Sequence, residues 1–219
     1  GEVEDYVIQV VGFDYGDLPN TYGTEDPNGP KHIATDNLKL GTCVDVDLNG
    51  QPDPMAGSMG TVGDDGKVGP VVFGTCTNGD DEDGIRFLTP MVPGYEACIE
   101  VTAMNNTASA AVLQMWVDWD GSGTFNSGEA VNFLAGGGSI PAGGMSTQKF
   151  CFQVPANATF EKGNAMVRFR LSSAGGLTPN SQAAPVPFGE IEDYKLPLGK
   201  IGNLVWNDNN FNGRQDTGE

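Results

Sequence analysis

Ala97-Cys98-Ile99-Glu100-Val101-Thr102 sets Ala97, Ile99 and Val101 on one face and the remaining side chains on the other. A period of two marks a half-buried strand, because successive side chains of an extended chain point to opposite sides. Phe150-Cys151-Phe152-Gln153-Val154 repeats the pattern, with Phe150, Phe152 and Val154 inward. In both runs the cysteine falls on the outer face. If the two strands are neighbours, Cys98 meets Cys151 across them, which leaves Cys43 with Cys76. Leu113, Met115, Val117 and Trp119 form another stripe, and so do Val167, Phe169 and Leu171, with Arg168 and Arg170 turned outward. No segment carries a convincing amphipathic helical period. The chain reads as all-β, an antiparallel β-sandwich of the jelly-roll kind.

Composition agrees. Gly (32) and Pro (14) are spread along the 219 residues, which suits many short strands joined by tight turns. Asp plus Glu number 29 against 11 Lys plus Arg, a formal charge of −18, so nucleic acid is not an expected partner. No apolar run is long enough for a membrane-spanning helix, and membrane insertion is not expected. Four cysteines without a C-x-x-C pair argue against zinc and for two disulfides in an oxidising compartment.

The acids are spaced for metal. In Asp118-Trp-Asp120-Gly-Ser122-Gly123-Thr124-Phe-Asn126-Ser-Gly-Glu129, oxygen-bearing side chains stand at positions one, three, five, nine and twelve, with glycine at six. That is the spacing of an EF-hand calcium loop. Asp118, Asp120, Ser122, the Thr124 carbonyl, Asn126 and Glu129 are the expected ligands, and Gly123 permits the sharp bend. The pattern returns as Asp208, Asn210, Asn212, the Arg214 carbonyl, Asp216 and Glu219. A weaker third match supplies Asp45, Asp47, Asn49 and Asp53, with Ala56 at position twelve. Asp64-Asp65 or the run Asp80 to Asp83 would have to complete it. Neither full loop is flanked by amphipathic helices, so the expected role is to set strand ends rigidly rather than to sense calcium.

The chain also repeats itself. Gly1-Glu2-Val3-Glu4-Asp5-Tyr6 returns as Gly189-Glu190-Ile191-Glu192-Asp193-Tyr194, with one Val/Ile exchange. A repeat of this kind predicts a tandem array whose unit is a whole domain. Residues 1–12 would then be the closing strand of a preceding repeat and a candidate donor strand, with neighbouring copies of the same protein as partners.

These hexapeptides, with Asp14-Tyr15-Gly16-Asp17-Leu18-Pro19, Leu40-Gly41 to Asp53, Asp80 to Gly84 and Arg168-Phe169-Arg170-Leu171-Ser172, resemble the GEVEDY-type module of bacterial secreted and surface proteins. The resemblance covers residues 13–198 and implies that the hexapeptide lies in the module's closing strand. Residues 199–219 are similar to a linker and the first strand and calcium loop of the B-type repeat of serine-aspartate-repeat adhesins. The resemblance implies an adhesin-like or scaffold role and no reaction; with the loop spacings, the expected function is a calcium-stabilised structural or adhesin module, secreted or on the cell surface, and not an enzyme. The lone histidine, His32, has no Gly-x-Ser-x-Gly elbow to serve. The alternative is a carbohydrate-binding module for surface glycans, with Trp119 or Trp206 stacking on sugar.

Overall fold

The computed structural model describes residues 1, 11–50, 60–61, 71–77, 80–160, 164–180 and 186–197. Among the described residues thirteen strands follow one another: β1 (Phe13–Tyr15), β2 (Lys31–Ile33), β3 (Leu38–Leu40), β4 (Cys43–Asp45), β5 (Gly60–Thr61), β6 (Val72–Gly74), β7 (Ile85–Phe87), β8 (Glu96–Asn105), β9 (Ala111–Val117), β10 (Ser139–Ile140), β11 (Gly144–Gln153), β12 (Asn164–Ser172) and β13 (Gly189–Pro197). Helical structure among the described residues is confined to two 3-10 turns, Asn20–Tyr22 and Gly136–Gly138. Among the described residues one large sheet has the order β10-β9-β12-β13-β5 and a second β11-β8-β3 with β7 also on β8, while β1-β2 and β4-β6 form two-stranded sheets. Every strand ladder among the described residues is antiparallel, as an all-β sandwich with hairpin connections requires.

The apolar stripes meet between the sheets. Ala97, Ile99 and Val101 of β8 and Phe150, Phe152 and Val154 face Leu113, Met115, Val117, Val167, Phe169 and Leu171, all buried in one cluster. Trp119 joins them at 7% exposure, its ring 5.8 Å from Phe160 and 6.4 Å from Phe152.

Cys98 lies directly opposite Cys151 in the β8–β11 register. The Cys98 amide donates to Thr89 Oγ1 and its carbonyl accepts from Leu88, both away from β11. The pair therefore occupies a non-hydrogen-bonded position, where strands approach most closely. Its Cα atoms are 4.1 Å apart and its sulfurs bonded, as are those of Cys43 and Cys76.

One expectation needs correction. Arg168 and Arg170 do point away from the core, yet both are fully buried. The segment that carries β1, Asp17, Leu18, Tyr22, Thr24 and β2 lies over this outer face of β12 and β13. Arg168 reaches Asp193, its cross-strand partner, and also Thr24 and the Tyr22 carbonyl. Arg170 donates from Nε to His32 Nε2 at 3.1 Å. Alternation told which face the arginines occupy but not that a second layer covers it.

His32 is fully buried, and burial followed by the Arg170 charge holds its pKa well below the ordinary 6.5. The unfolded chain thus takes up a proton that the folded chain refuses. The stabilising effect of a neutral His32 is present above pH 6.5 and is lost as the pH falls. A His32→Gln variant is expected to escape this loss. Chemical denaturation of both proteins from pH 7.5 to 5 should show the wild type falling behind by up to about 1.4 kcal/mol per pH unit below 6.5.

Candidate metal centre

The loop 118–129 begins where β9 ends. Asp118 donates its amide to the Met166 carbonyl at 3.0 Å, so the β9–β12 register fixes the first acidic position. The far end is tied back to the same strand. The Val117 amide donates to the Glu129 carbonyl at 3.1 Å, and Val131 to Met115 at 2.8 Å. A chain closed at both ends in this way must turn tightly, and Gly123 takes φ 81°, a left-handed value that favours glycine.

Carboxylate oxygens of Asp118, Asp120 and Glu129 lie within 4.8 Å of one another. Asp118 and Glu129 are buried and Asp120 is exposed. The Asp118 carboxylate accepts the amides of Ser122 and Gly123 and, at 2.6 Å, the Tyr22 hydroxyl. Glu129 accepts the amides of Trp119 and Asn126. Ser122 Oγ, the Thr124 carbonyl and the Asn126 side chain complete the loop's oxygen lining and are linked to each other, with Asn126 Nδ2 2.8 Å from Ser122 Oγ. Of the six residues named by the spacing, the structure shows the ligand atoms of Asp118, Asp120 and Glu129 converging.

The electrostatics follow from the packing. Burial first, then the charges of Asp118 and Asp120, raise the Glu129 carboxyl above its ordinary range. The Ser122 side chain lowers that of Asp120. No ion pair among the described residues neutralises these three acids. An all-oxygen lining with three converging carboxylates fits a hard cation such as calcium, which takes six to eight oxygen ligands. Asp118, Asp120, Ser122, Thr124, Asn126 and Glu129 would hold it.

Tyr22 was not legible as a member of this site. It comes from 96 positions upstream and its ring packs 4.9 Å from Phe125 inside the loop. Only the covering of the outer face brings it there.

The third acidic stretch is joined by the run Asp80 to Asp83, one of the two that would have to complete it. Asp45 lies in β4, and its amide donates to Asp81 Oδ2 at 3.2 Å. Asp47 accepts the Tyr15 amide at 3.0 Å. Asn49 accepts the Asp26 amide at 2.6 Å. Asp53, Asp64 and Asp65 lie outside the described residues, as do Asp208, Asn210, Asn212, Arg214, Asp216, Glu219 and Trp206. Glu2 to Tyr6 of the first hexapeptide copy and the B-type-like segment fall outside them too.

No curated protein matches the chain, and no solved structure does. Residues 112–197, from within β9 to the end of β13, match the GEVED domain family. The matched span closes on the strand that carries Gly189-Glu190-Ile191-Glu192-Asp193-Tyr194, so the chain contains a GEVED-type module.

Proposed function

We propose that this chain is a calcium-stabilised extracellular structural module of adhesin type, displayed on a bacterial surface or built into a fibre with neighbouring copies, and not an enzyme. The observation that carries the reading is the convergence of Asp118, Asp120 and Glu129 in a loop closed at both ends on the core strand β9. A cation there would tie the loop's oxygens to strand ends rather than present them to a substrate. The two disulfides support an oxidising compartment. His32, sealed from solvent beside Arg170, is poorly placed for proton transfer to a substrate. The carbohydrate-binding alternative loses Trp119, which packs beneath the loop and offers no open face to a sugar.

The test is thermal unfolding of the chelator-treated protein with and without calcium. At a calcium concentration about 100 times Kd, binding to the folded form alone adds about 2.7 kcal/mol. For a domain of this size that corresponds to a rise in Tm of roughly 5–11 °C. Asp118→Asn is expected to lose most of the rise while keeping its far-UV spectrum. A wild-type Tm unmoved by either calcium or chelator would sink the reading.

A further inference from the structure

The covering segment and the 118–129 loop share a small core of their own. Leu18 and Tyr22 of the segment pack with Trp116 of β9 and Phe125 of the loop, all four buried. Trp116 stands opposite Arg168 in the β9–β12 register, on the outer face of the sheet, so this cluster is distinct from the one between the sheets. Phe125 is position eight of the twelve, flanked by Thr124 and Asn126, two of the candidate ligands. Whatever holds its ring therefore also holds them.

Tyr22 is fixed at both ends. It closes the Asn20–Tyr22 turn, its amide donating to the Pro19 carbonyl at 2.8 Å and the Gly23 amide to the Asn20 carbonyl at 3.0 Å. Its own carbonyl accepts from Arg168 Nη1 at 3.3 Å, and the same guanidinium lies 5.7 Å from the centre of the Phe125 ring. At the other end the hydroxyl donates to Asp118 Oδ2 at 2.6 Å, the length of a charge-assisted O–H···O bond.

The three converging carboxylates differ in what holds them. Glu129 accepts the amides of Trp119 and Asn126, and Asp120 that of Ser122, all from within the loop. Asp118 accepts the amides of Ser122 and Gly123 and, in addition, the Tyr22 hydroxyl. Among the hydrogen bonds of the described residues, Tyr22 is thus the one donor to these carboxylates from outside the loop. It loads a particular oxygen. Gly123 and Tyr22 together fill the two lone pairs of Oδ2, so Oδ1, which accepts the Ser122 amide, is the oxygen with capacity left for a cation. Asp118 opens the loop and is buried, so its orientation decides what the first position can present.

We propose that Tyr22 is a positioning residue of the candidate cation site, so that docking of the covering segment and binding of a divalent cation reinforce each other. The inference rests on the calcium reading above and adds its regulation. A docked segment aims Asp118 and, through Phe125, steadies the residues on either side of it. Linkage then requires that the ion hold the segment down by the same factor by which the segment tightens the ion. The Arg168–Asp193 pair anchors the segment whether or not an ion is bound, and the coupling adds to that anchor. A ring that merely filled space over Trp116 would need neither the hydroxyl nor the ion.

The experiment uses the full chain, stripped with chelator, as wild type and as Tyr22→Phe, which keeps the ring and removes the hydroxyl. Calorimetric titration reads calcium affinity, and hydrogen–deuterium exchange of peptides covering residues 17–23 reads docking. Exchange is followed where these peptides exchange faster than those of β8, so that release of the segment and not global unfolding is measured. Tyr22→Phe is expected to bind calcium at least about 5-fold more weakly than wild type, the lower end of typical coupling between sites. Saturating calcium should slow wild-type exchange at 17–23 by a similar factor, and the variant should lose that protection. Equal calcium affinity in the two proteins overturns the proposal and leaves the calcium reading standing. So does wild-type exchange at 17–23 that bound calcium does not slow. A wild type that binds no calcium overturns both. Should Tyr22→Phe fail to fold, the wild-type exchange with and without calcium decides alone.

Discussion

Arg168→Ala is expected to lower the unfolding free energy by about 3–5 kcal/mol, the range for removing one partner of a buried ion pair. The guanidinium is fully enclosed and every arm is engaged. Nε and Nη2 grip the two oxygens of Asp193 at 2.8 and 2.6 Å, Nη1 donates to the carbonyls of Tyr22 and Pro179, and Nη2 also reaches Thr24. Asp193 in turn accepts the amides of Asp17 and Leu18 at 2.8 and 2.9 Å. The variant therefore strands a buried carboxylate and releases the covering segment from β12. Urea unfolding measures the first effect, and limited proteolysis between residues 17 and 30 the second. Arg168→Met combined with Asp193→Leu should cost less than Arg168→Ala, because no charge is then left alone. A loss below about 1 kcal/mol in Arg168→Ala, the scale of an exposed pair, would show that the arginine does not anchor the layer.

Removing the Cys98–Cys151 bond is expected to cost nearly as much. The two cysteines are 53 residues apart, and freeing a loop of that length in the unfolded chain corresponds to about 4 kcal/mol by chain entropy. For a domain of this size the Cys98→Ser/Cys151→Ser double variant should melt roughly 8–16 °C lower. The β8–β11 ladder runs through the bond for ten paired positions, so the native sheet should survive the change, and the loss should appear in stability rather than in the far-UV spectrum. An unchanged melting temperature would place the constraint elsewhere.

The parts of the fold legible in the sequence were those written locally. Alternation at Ala97–Thr102 and Phe150–Val154 carried strand identity, inward face and, through the cysteines, the register of β8 on β11. The 118–129 loop was legible for the same reason, since its six candidate ligand residues lie within twelve positions and the glycine at position six is part of the spacing. What stayed hidden needed long-range information. Arg168 and Arg170 looked like an exposed face because nothing within β12 announces the segment that covers it. Glu190 and Glu192 read as half of a repeat, although their phase with Tyr194 placed them on the core side. Asp45 and Asp47 read as the start of a third loop. The structure brings Asp81 to the Asp45 amide, from one of the two runs expected to complete that site, and turns Asp47 to the Tyr15 amide, a contact that only the tertiary fold supplies.

The crosslink between β8 and β11 also bears on how the module would behave under tension. Whatever pulls on the two flanks of the chain can extend only what lies outside residues 98 to 151, because the sulfur bridge carries the load past everything between. At full stretch that shielded stretch would otherwise contribute roughly 180 Å of slack. Held back, it makes the module a short, stiff link that can lose its outer strands without paying out its central hairpins.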